Sequence, residues 1–467
     1  MAAKDDRKMF VGIAWSCAAE LKLFLTALLF LCTFATLLQL LPSRFFLSPS
    51  DLRRCLSSPT AAAGVPNPTA PHNENNISAA GVVTRAFNPY GSAAYSYIVM
   101  SAYRGGPSTF AVVGLSSKPL QVYGNPTYEC RWESRNATTA TVSAAGYKIL
   151  PDWGYGRVYT VVVVNCTFPR GDREGGRLLL RSGNDTFPAL EEEPGAQSPT
   201  AEPQYDYLYC GSPLYGDLSP QRVREWLAYH VRLFGEKSHF VMYDAGGVHD
   251  RLRAVLSPWI EKGFVTLHDV REQEKFDGYY HNQFLIVNDC LHRYRFSTKW
   301  MFFFDVDEFV FVPKKTNIGA VMESLSEYTQ ITMVQMPMSG SLCLSDDAPQ
   351  RSRKWGFEKL VYKDVMRGKR RDRKYAVQPR NVFATGVHMT QNMVGKTTHN
   401  TYDRIGYFHY HGTIAQRREP CARFLNESQI TVDGVPYAMD KTLREVAGAV
   451  KRFELETIGP VLQGTRQ

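Results

Sequence analysis

The residues best suited to chemistry follow a run of bulky apolar residues in the second half of the chain. Trp300–Phe304 is wholly apolar, which is typical of a strand covered on both faces of a sheet. Asp305 and Asp307 follow directly. At the carboxyl edge of an α/β sheet, two carboxylates can bind a divalent cation that holds a diphosphate leaving group. An acidic turn that only ends the strand is the alternative, and the elements described below favour the metal site.

Two histidines near the C-terminus are candidates for the same site. His409 and His411 alternate within Tyr407–Gly412, so in an extended strand both side chains point to one face. Imidazole is a common ligand of divalent metals. The two residues either complete the metal shell or form a structural, hydrogen-bonded pair, and the sequence leaves both interpretations open.

The elements that must position these residues alternate between strands and helices. They are predicted to be the strand Tyr205–Cys210, a helix from Pro220 that Ser219 caps and Gly235 ends, the strand His239–Tyr243, a helix over about 248–261, the strand Phe264–Leu267 and a helix over 279–295. Such alternation specifies a parallel, doubly wound α/β sheet.

The carboxyl ends of the predicted strands are expected to meet along one edge of that sheet. They are Cys210–Ser212, Asp244 and Asp305–Asp307. No Gly-x-Gly-x-x-Gly follows the first strand and no Walker sequence occurs, which argues against a dinucleotide dehydrogenase and a P-loop enzyme. A nucleotide site built from metal and carboxylates, as a nucleotide-sugar transferase needs, fits the pattern.

Residues 81–189 are predicted to form an all-β sandwich. Short runs rich in β-branched and aromatic residues alternate there with Gly and Pro. A stretch rich in Glu, Pro, Ser and Thr at 190–203 is predicted to be a linker, so the module with its linker occupies 81–200 and the α/β domain 201–467. Trp132, Trp153 and Tyr155 either form an aromatic platform for sugar rings or belong to the core. Cys130 and Cys166 are candidates for a bridge between two strands.

Residues 23–41 are predicted to be a transmembrane helix. They carry no charge, and a helix of this length spans about 28 Å, close to the thickness of a bilayer's hydrocarbon core. The anchor leaves a cytoplasmic tail at 1–22 and a stem rich in Pro, Ser, Ala and Asn at 42–80. A cleaved signal peptide is the alternative, but the apolar stretch is long for one and no small-x-small cleavage site follows it.

Glycosylation sequons indicate the orientation of this anchor. Five of them lie beyond it, at Asn76, Asn136, Asn165, Asn184 and Asn426. They predict a single-pass type II protein of the secretory pathway with a lumenal catalytic portion. Disulfides are permitted in that compartment, and an odd number of cysteines follows the anchor, so at least one is a free thiol or pairs between chains. Cys55 in the stem is the candidate for an intermolecular bond in a homodimer.

Bulk composition restricts the class of protein further. With 467 residues and 44% hydrophobic residues, two folded domains plus appendages are expected. The net charge of +9 favours anionic ligands, but without a zinc finger, RNA-binding sequence or basic-region helix we expect no nucleic-acid partner. The densest positive run, Arg367–Lys374, either attracts an acidic polysaccharide or the diphosphate or is a solvated loop.

An ordered set of motifs resembles glycosyltransferase family 92. The set comprises Tyr209–Gly216, Gln283, Asn288–Cys290, Lys299–Trp300, Phe304–Phe309 and His409–Tyr410. The order of anchor, β module and transferase domain is similar to that of the plant members that make galactan. The resemblance implies a GT-A (Rossmann-like) fold, UDP-galactose as donor, Mn²⁺ or another divalent cation as cofactor, and extension of β-1,4-galactan side chains on pectic rhamnogalacturonan I. It also implies a Golgi membrane location and a carbohydrate-binding β module.

The same resemblance assigns roles to individual residues. Asp305 and Asp307 are expected to bind the metal and the donor diphosphate, and His409 matches the family's late histidine. His411 stands where many relatives carry Arg, so its role as a metal ligand is open. Gln283 and Asp244 are expected near the nucleotide. The strand layout already places Cys210, Gly211 and Ser212 at the same edge, as further candidates for binding it.

The acceptor hydroxyl must lose a proton as it attacks the donor sugar. An α-linked donor and a β-linked product imply a single displacement with inversion, for which a carboxylate is the usual base. Asp346, Asp347 and Glu358 are the candidates, and the sequence does not rank them. The pair Asp346–Asp347 lies in a polar loop that is equally compatible with a solvated turn.

Three other functions compete with this one. A transferase that uses a different UDP-sugar is one of them. A polysaccharide-binding scaffold with an inactive transferase domain suits the aromatic β module, although the intact Asp305 and Asp307 argue against it. A glycoside hydrolase needs two carboxylates that flank a glycosidic bond, and two residues so close together at a strand end are poorly placed for that.

Overall fold

The computed structural model describes residues 76–77, 82–84, 88–90, 97–117, 127–136, 138–149, 159–172, 174–195, 202–276, 280–347, 354–365, 374–415, 421–427 and 430–463. They all belong to one unit, Ala70–Gln467. The predicted tail, anchor and most of the stem lie outside them, as do Cys55, Trp153 and Tyr155. Within the described residues, no helix combines the length and hydropathy that a membrane crossing requires.

The described residues up to 195 contain strands and no helix. Its strands are Asn76–Ile77 (β1), Val82–Thr84 (β2), Asn88–Tyr90 (β3), Tyr97–Arg104 (β4), Thr109–Ser117 (β5), Thr127–Ser134 (β6), Thr139–Lys148 (β7), Tyr159–Thr167 (β8), Gly176–Ser182 (β9) and Asp185–Glu192 (β10). Strands β3 to β10 form an antiparallel sheet in the order β10-β9-β6-β7-β8-β5-β4-β3. Within the described residues, this region has the all-β character that its sequence predicts.

This sheet folds back on itself around a core of its own. Tyr97 and Val99 of β4 pack there with residues of β6, β9 and β10, and Arg104 of β4 forms an ion pair with Glu192 of β10. A disulfide joins Cys130 to Cys166, so the predicted bridge between two strands, β6 and β8, is present.

The remaining strands belong to the C-terminal part. They are Tyr205–Cys210 (β11), Ser238–Asp244 (β12), Val265–Asp269 (β13), Thr298–Phe303 (β14), Glu308–Phe311 (β15), Gln330–Thr332 (β16), Val334–Pro337 (β17), Leu342–Leu344 (β18), Tyr362–Asp364 (β19), Tyr375–Val377 (β20), Val382–Thr385 (β21), Thr390–Met393 (β22), Thr397–Thr398 (β23), Gly406–His409 (β24), Arg423–Leu425 (β25), Thr431–Val432 (β26) and Val435–Met439 (β27).

The α-helices of this part are Pro220–Phe234 (α1), Asp250–Glu261 (α2), Gln283–Tyr294 (α3), Ile318–Glu323 (α4), Gly356–Lys359 (α5) and Thr442–Ile458 (α6). Helix α1 begins and ends as its sequence predicts: the Ser219 hydroxyl accepts from the backbone N–H of Arg222, and Gly235 follows with φ of 83°. Helix α3 begins later than predicted, because Tyr280, His281 and Asn282 all have positive φ and cannot continue a right-handed helix.

The central sheet has the order β1-β2-β13-β12-β11-β14-β20-β16-β23. Strands β11 to β14 run parallel, as the alternation of strands and helices predicts. The chain proceeds from β11 to β12 and β13 on one side and then returns to place β14 on the other side of β11. Ligands of open α/β sheets bind at such a reversal, beyond the carboxyl ends of the two strands.

The two faces of the central sheet are covered differently. Phe302 of β14 packs into a core with α1, α2 and α6, whereas its neighbours Met301 and Phe303 point to the opposite face. That second face is covered by α3 and, beyond it, by β4, β5 and β8 of the N-terminal sheet. The predicted division at residue 200 therefore does not separate two independent cores.

A buried carboxylate joins the same two regions. Asp289 of α3 accepts hydrogen bonds from the hydroxyls of Ser101 and Tyr103 in β4 and from Tyr243 in β12, and Arg293 pairs with it. Strand β2, which the sequence assigned to the β module, pairs in parallel with β13. The N-terminal segment therefore contributes to the C-terminal part at two places.

Candidate active site

A cavity of about 640 Å³ opens at the carboxyl ends of β11 and β14, where the strand order reverses. It is lined by the segment Ser212–Leu218, by Asp305–Glu308 and by residues of β17, β24 and the loop after β24. The predicted edge of the sheet is thus the site of a cavity. Its volume lies within the range of roughly 300–1,000 Å³ that small-molecule sites occupy.

Gly211 allows β11 and β14 to approach each other closely at this point. A Cβ atom at this position would clash with the hydroxyl of Tyr209 and with the carbonyl oxygen of Phe304, the residue before Asp305. Gly211 is therefore required by packing next to the cavity, whereas the sequence placed it there as part of the nucleotide site.

Asp305 is held in place by two partners from distant parts of the chain. Gln283, the first residue of α3, donates to its Oδ1 at 3.1 Å, and Lys374 donates to its Oδ2 at 2.8 Å. Burial raises the pKa of Asp305, but the charge and hydrogen bond of Lys374 outweigh this and bring the pKa below its ordinary value. Asp305 is thus an ionised carboxylate neutralised by a lysine.

Lys374 is a buried cation in an acidic cluster. Its side chain is 3% exposed and lies 3.9 Å from Glu308 as well as beside Asp305. Burial lowers the pKa of Lys374, but the charges of Asp305 and Glu308 raise it overall. Burial raises the pKa of Glu308, whose Oε2 accepts from the backbone N–H of Asp305. This arrangement fixes the backbone of the Asp-x-Asp turn.

Asp307 has a different environment from Asp305. Its Oδ2 accepts from the backbone N–H of Gly412 at 2.8 Å, and its Oδ1 lies 3.7 Å from Nε2 of His409. Strands β15 and β24 bring these residues together, because Glu308 pairs with His409 in the antiparallel register. Asp307 and His409 therefore face the cavity side by side.

The two predicted histidines both line the cavity. Nδ1 of His409 is 2.7 Å from Nε2 of Gln335, which orients the ring so that Nε2 points towards Asp307. Burial lowers the pKa of His409, which favours the neutral ring. Metal binding through Nε2 requires the proton on Nδ1, so the side-chain amide of Gln335 must then present its oxygen to Nδ1. His411 lies beyond the strand, more exposed, with its ring 5.3 Å from that of His409.

These residues fit a divalent cation that is shared with a phosphate ligand. The pair Asp307 Oδ1 and His409 Nε2 supplies one oxygen and one nitrogen, and Asp305 is already neutralised by Lys374. Among the described residues, no group of three or more His, Cys, Asp or Glu side chains is arranged to hold a metal alone. Cations that act on phosphates often use one or two protein ligands and complete their shell with phosphate oxygens and water.

The residues predicted to contact the nucleotide are only partly brought together. Ser212 and Gln283 line the cavity. Cys210 is buried and forms a disulfide with Cys290, so its assignment to the nucleotide site is wrong: its role is to tie β11 to α3. Asp244 is also buried and does not line the cavity; its Oδ1 accepts from the backbone N–H groups of Gly246 and Val248.

None of the three predicted base candidates lines the cavity. Asp347 is fully buried between Lys354 and Arg444. Glu358 pairs with Lys451 at 2.5 Å and accepts from the backbone N–H of Trp355, so it caps α5. Asp346 is exposed to solvent. A third disulfide, Cys343–Cys421, lies near Asp347 in sequence.

Sequence reasoning missed several residues of the cavity. Lys374 ends the basic run, but its pairing with Asp305 depends on β20 lying beside β14. Gln335 and Asp217 carry no pattern that distinguishes them from surface residues. Tyr215, stacked on His281 at the rim, belongs to the segment after β11 that was noted only as a motif.

The other predicted sites lie outside the cavity. Trp132 is buried, stacks on Phe110 and donates its Nε1–H to Asp172, so its assignment to a sugar platform is wrong: it is a core residue. Four predicted glycosylation sites lie at exposed positions, Asn136, Asn165, Asn184 and Asn426. Asn76 lies in β1, and the structure describes only its backbone.

Comparison with known proteins places the chain among glycosyltransferases. Residues 205–447 match the model of Glycosyltransferase family 92. The chain is 56% identical to Galactan beta-1,4-galactosyltransferase GALS3 of Arabidopsis thaliana over 99% of this chain and 98% of that protein, and 53% identical to its GALS2 over the same shares. Beta-1,4-galactosyltransferase galt-1 of Caenorhabditis elegans is 27% identical over 54% of this chain and 60% of that protein.

Proposed function

The chain belongs to glycosyltransferase family 92, and we propose that it transfers galactose from UDP-galactose to β-1,4-galactan side chains of pectic rhamnogalacturonan I. One observation supports this beyond the family itself. A cavity at the reversal of the sheet presents Asp307 and His409 to its interior and keeps Lys374 at its wall. A diphosphate needs such a combination of metal ligands and a fixed cation.

Two residues of the chain are proposed to hold the cation. Asp307 and His409 would bind Mn²⁺ or a similar ion together with the donor diphosphate, and His411 lies close enough to assist through a water molecule. The ion would neutralise charge on the departing UDP. Lys374 and Gln283 hold Asp305, so the turn that carries Asp307 is rigid before the donor binds.

The acceptor step needs a base on the other side of the donor sugar. In the proposed reaction, the acceptor oxygen bonds to the anomeric carbon, the bond from that carbon to the diphosphate breaks, and the hydroxyl proton passes to a carboxylate. Of the carboxylates that line the cavity in the described part of the chain, Asp217 is the one outside the turn 305–308. We therefore propose Asp217 as the base, in place of the three candidates chosen from the sequence.

The proposed cellular setting rests on the apolar segment, the sequons and the family resemblance. We propose a single-pass type II protein of the Golgi membrane, anchored through residues 23–41, with its sequons and the cavity on the lumenal side. We also propose that the β module binds carbohydrate, through residues other than the buried Trp132.

The test uses the purified full chain with a β-1,4-galacto-oligosaccharide acceptor and a panel of UDP-sugars, and the products are sized by mass spectrometry. We expect elongation with UDP-galactose, loss of elongation in EDTA and recovery when Mn²⁺ is added. Equal elongation with other UDP-sugars would exclude the proposed donor, and full activity in EDTA would exclude the metal. Asp217→Asn should lower kcat by about 10²-fold or more with little change in the KM for UDP-galactose.

A further inference from the structure

A second depression lies next to the active-site cavity and has a different chemical character. This groove, of about 770 Å³, is lined by residues of β16, β22 and β23 and by Tyr147 of the β module. His388 lines both the groove and the cavity. The two spaces are thus neighbours, separated by the turn that joins β21 to β22.

The lining of the groove is polar without being charged. Gln330, Thr332, Thr390 and Asn392 supply amide and hydroxyl groups, and none of the described residues that line it is Asp, Glu, Lys or Arg. The cavity, in contrast, contains Asp305, Asp307, Glu308 and Lys374. A ligand of the groove is therefore expected to be neutral and rich in hydroxyl groups. An anionic ligand would lose part of its hydration there, and no lysine or arginine of the lining would compensate for that loss.

The polar groups of the groove are oriented by bonds among themselves. Thr390 donates through its backbone N–H and its hydroxyl to Oε1 of Gln330, at 2.7 and 2.8 Å. Gln330 donates in turn to the hydroxyl of Thr397, and the Thr332 hydroxyl lies 3.0 Å from Nδ1 of His399. Because residues 330 and 332 alternate along β16, both face the groove while Ile331 faces the core.

The turn between cavity and groove is held from three sides. The side chain of Asn288 in α3 exchanges two hydrogen bonds with the backbone of Thr385, and the Tyr375 hydroxyl donates to the carbonyl of Gly386. On the far side, the Tyr147 hydroxyl of the β module donates to the carbonyl of Gln391 at 2.5 Å. The groove is therefore formed without a ligand, and the β module supplies one of its walls.

We propose that this groove binds the galactosyl residues that precede the acceptor's reacting end. This inference rests on the proposed function, since it requires the cavity to elongate a neutral galactan. The reacting hydroxyl would lie in the cavity, and the chain behind it would pass His388 into the groove. Amides and hydroxyls bind the sugar hydroxyls there, and the exposed Met389 lies against the apolar faces of the rings. The charged pectic backbone is excluded from this site by its uncharged lining.

The test compares a short and a long acceptor in the full chain. Asn392→Trp fills the groove from an exposed position. The control, Val394→Trp, places the same ring on the same hairpin, at a residue that is 77% exposed and does not line the groove. With UDP-galactose as donor, kcat/KM is measured for β-1,4-galactobiose and β-1,4-galactohexaose. A milder variant, Met389→Ala, removes one exposed contact without affecting the core.

Asn392→Trp should lower kcat/KM for the hexaose by about tenfold or more and change that for the biose by less than about twofold. Met389→Ala should lower the hexaose value a few-fold, and Val394→Trp should leave both values unchanged. The inference would be overturned by equal losses for both acceptors or by no loss for either. A wild-type enzyme that uses both acceptors equally well would also overturn it. If the wild-type chain elongates neither acceptor, the proposed function itself fails, which is a separate result.

Discussion

Two acidic pairs of this chain look alike in sequence and differ in the structure. Asp305 and Asp307 follow β14, and Asp346 and Asp347 follow β18. In each pair one aspartate is bound by a lysine: Asp305 by Lys374 and Asp347 by Lys354. The first pair lines a cavity, with Asp307 turned into it, whereas Asp347 is closed off between two basic side chains and Asp346 is exposed. The comparison teaches that a neutralised aspartate contributes to a site only where its neighbour faces a cavity, and exposure of that neighbour to bulk solvent is not enough.

The largest effect is expected at Asp307. Asp307→Asn keeps an oxygen for the N–H of Gly412 but removes the charge that faces the cavity, so we expect transfer to fall by at least about 10³-fold while the fold is retained. Initial rates of galactose transfer and a circular dichroism spectrum measure the two parts. Activity within a few-fold of wild type would remove Asp307 from the site.

Lys374→Met tests the lysine of the first pair. It leaves Asp305 and the buried Glu308 without their cation, which should lower the free energy of unfolding by about 3 kcal/mol and transfer by about 10–100-fold. Denaturant unfolding and initial rates are the measurements. The matched variant Lys354→Met should lower stability by only about 1 kcal/mol and leave the rate per folded molecule unchanged, because Arg444 still pairs with Asp347.

Asp347→Ala separates structural from catalytic carboxylates. Its side chain is fully buried, but Lys354 and Arg444 are 33% and 22% exposed, so both cations can regain water. We therefore expect a loss of about 2 kcal/mol in unfolding free energy and no change in kcat. The neighbouring exposed Asp346→Ala should change neither quantity. A loss of kcat in either variant, with the fold intact, would indicate that the loop carrying Asp346 and Asp347 supplies the catalytic base.

The smallest effect is expected at a buried histidine, which contrasts with the histidine that faces the cavity. His409 faces the cavity, whereas His230 of α1 is buried, with Nδ1 2.8 Å from the carbonyl oxygen of Trp226 and Nε2 accepting from Val310. Burial lowers the pKa of His230 to about 3. Below about pH 6.5, His230 therefore binds a proton in the unfolded chain but not in the folded chain. The free energy of unfolding falls as the pH decreases, by about 1.4 kcal/mol at pH 5.5.

The check is the slope of unfolding free energy against pH between 6.5 and 5. His230→Gln should reduce this slope by about one proton, whatever it does to stability at neutral pH. An unchanged slope in His230→Gln would show that His230 is protonated in the folded protein.

Much of the framework was predictable because it depends on local patterns. The apolar run before Asp305 identified a strand buried on both faces, and the capping of α1 by Ser219 and its end at Gly235 followed from residue types alone. The alternation of strands and helices predicted the parallel sheet. Where local prediction failed, at the start of α3, the backbone of Tyr280–Asn282 adopts positive φ, which no residue type there requires.

The residues of the site were less predictable, because their partners are distant in the chain. Lys374 reaches Asp305 only because β20 pairs with β14, and Arg444 reaches Asp347 from α6. Trp132 was a candidate for sugar binding on composition and is a core residue, since its place in β6 turns it inward. The predicted linker suggested two separate bodies, yet α3 and the N-terminal sheet share one apolar core.

The amino-acid sequence alone determined the Asp-x-Asp motif, the strand before it and its place at the carboxyl edge of a parallel sheet, since each follows from hydrophobic periodicity and chain connectivity. Tertiary structure decided which acidic pair lines a cavity, which lysine neutralises it and where a groove continues from the cavity. Those features arise from contacts between segments far apart in the chain, whose encounter depends on the packing of the whole fold.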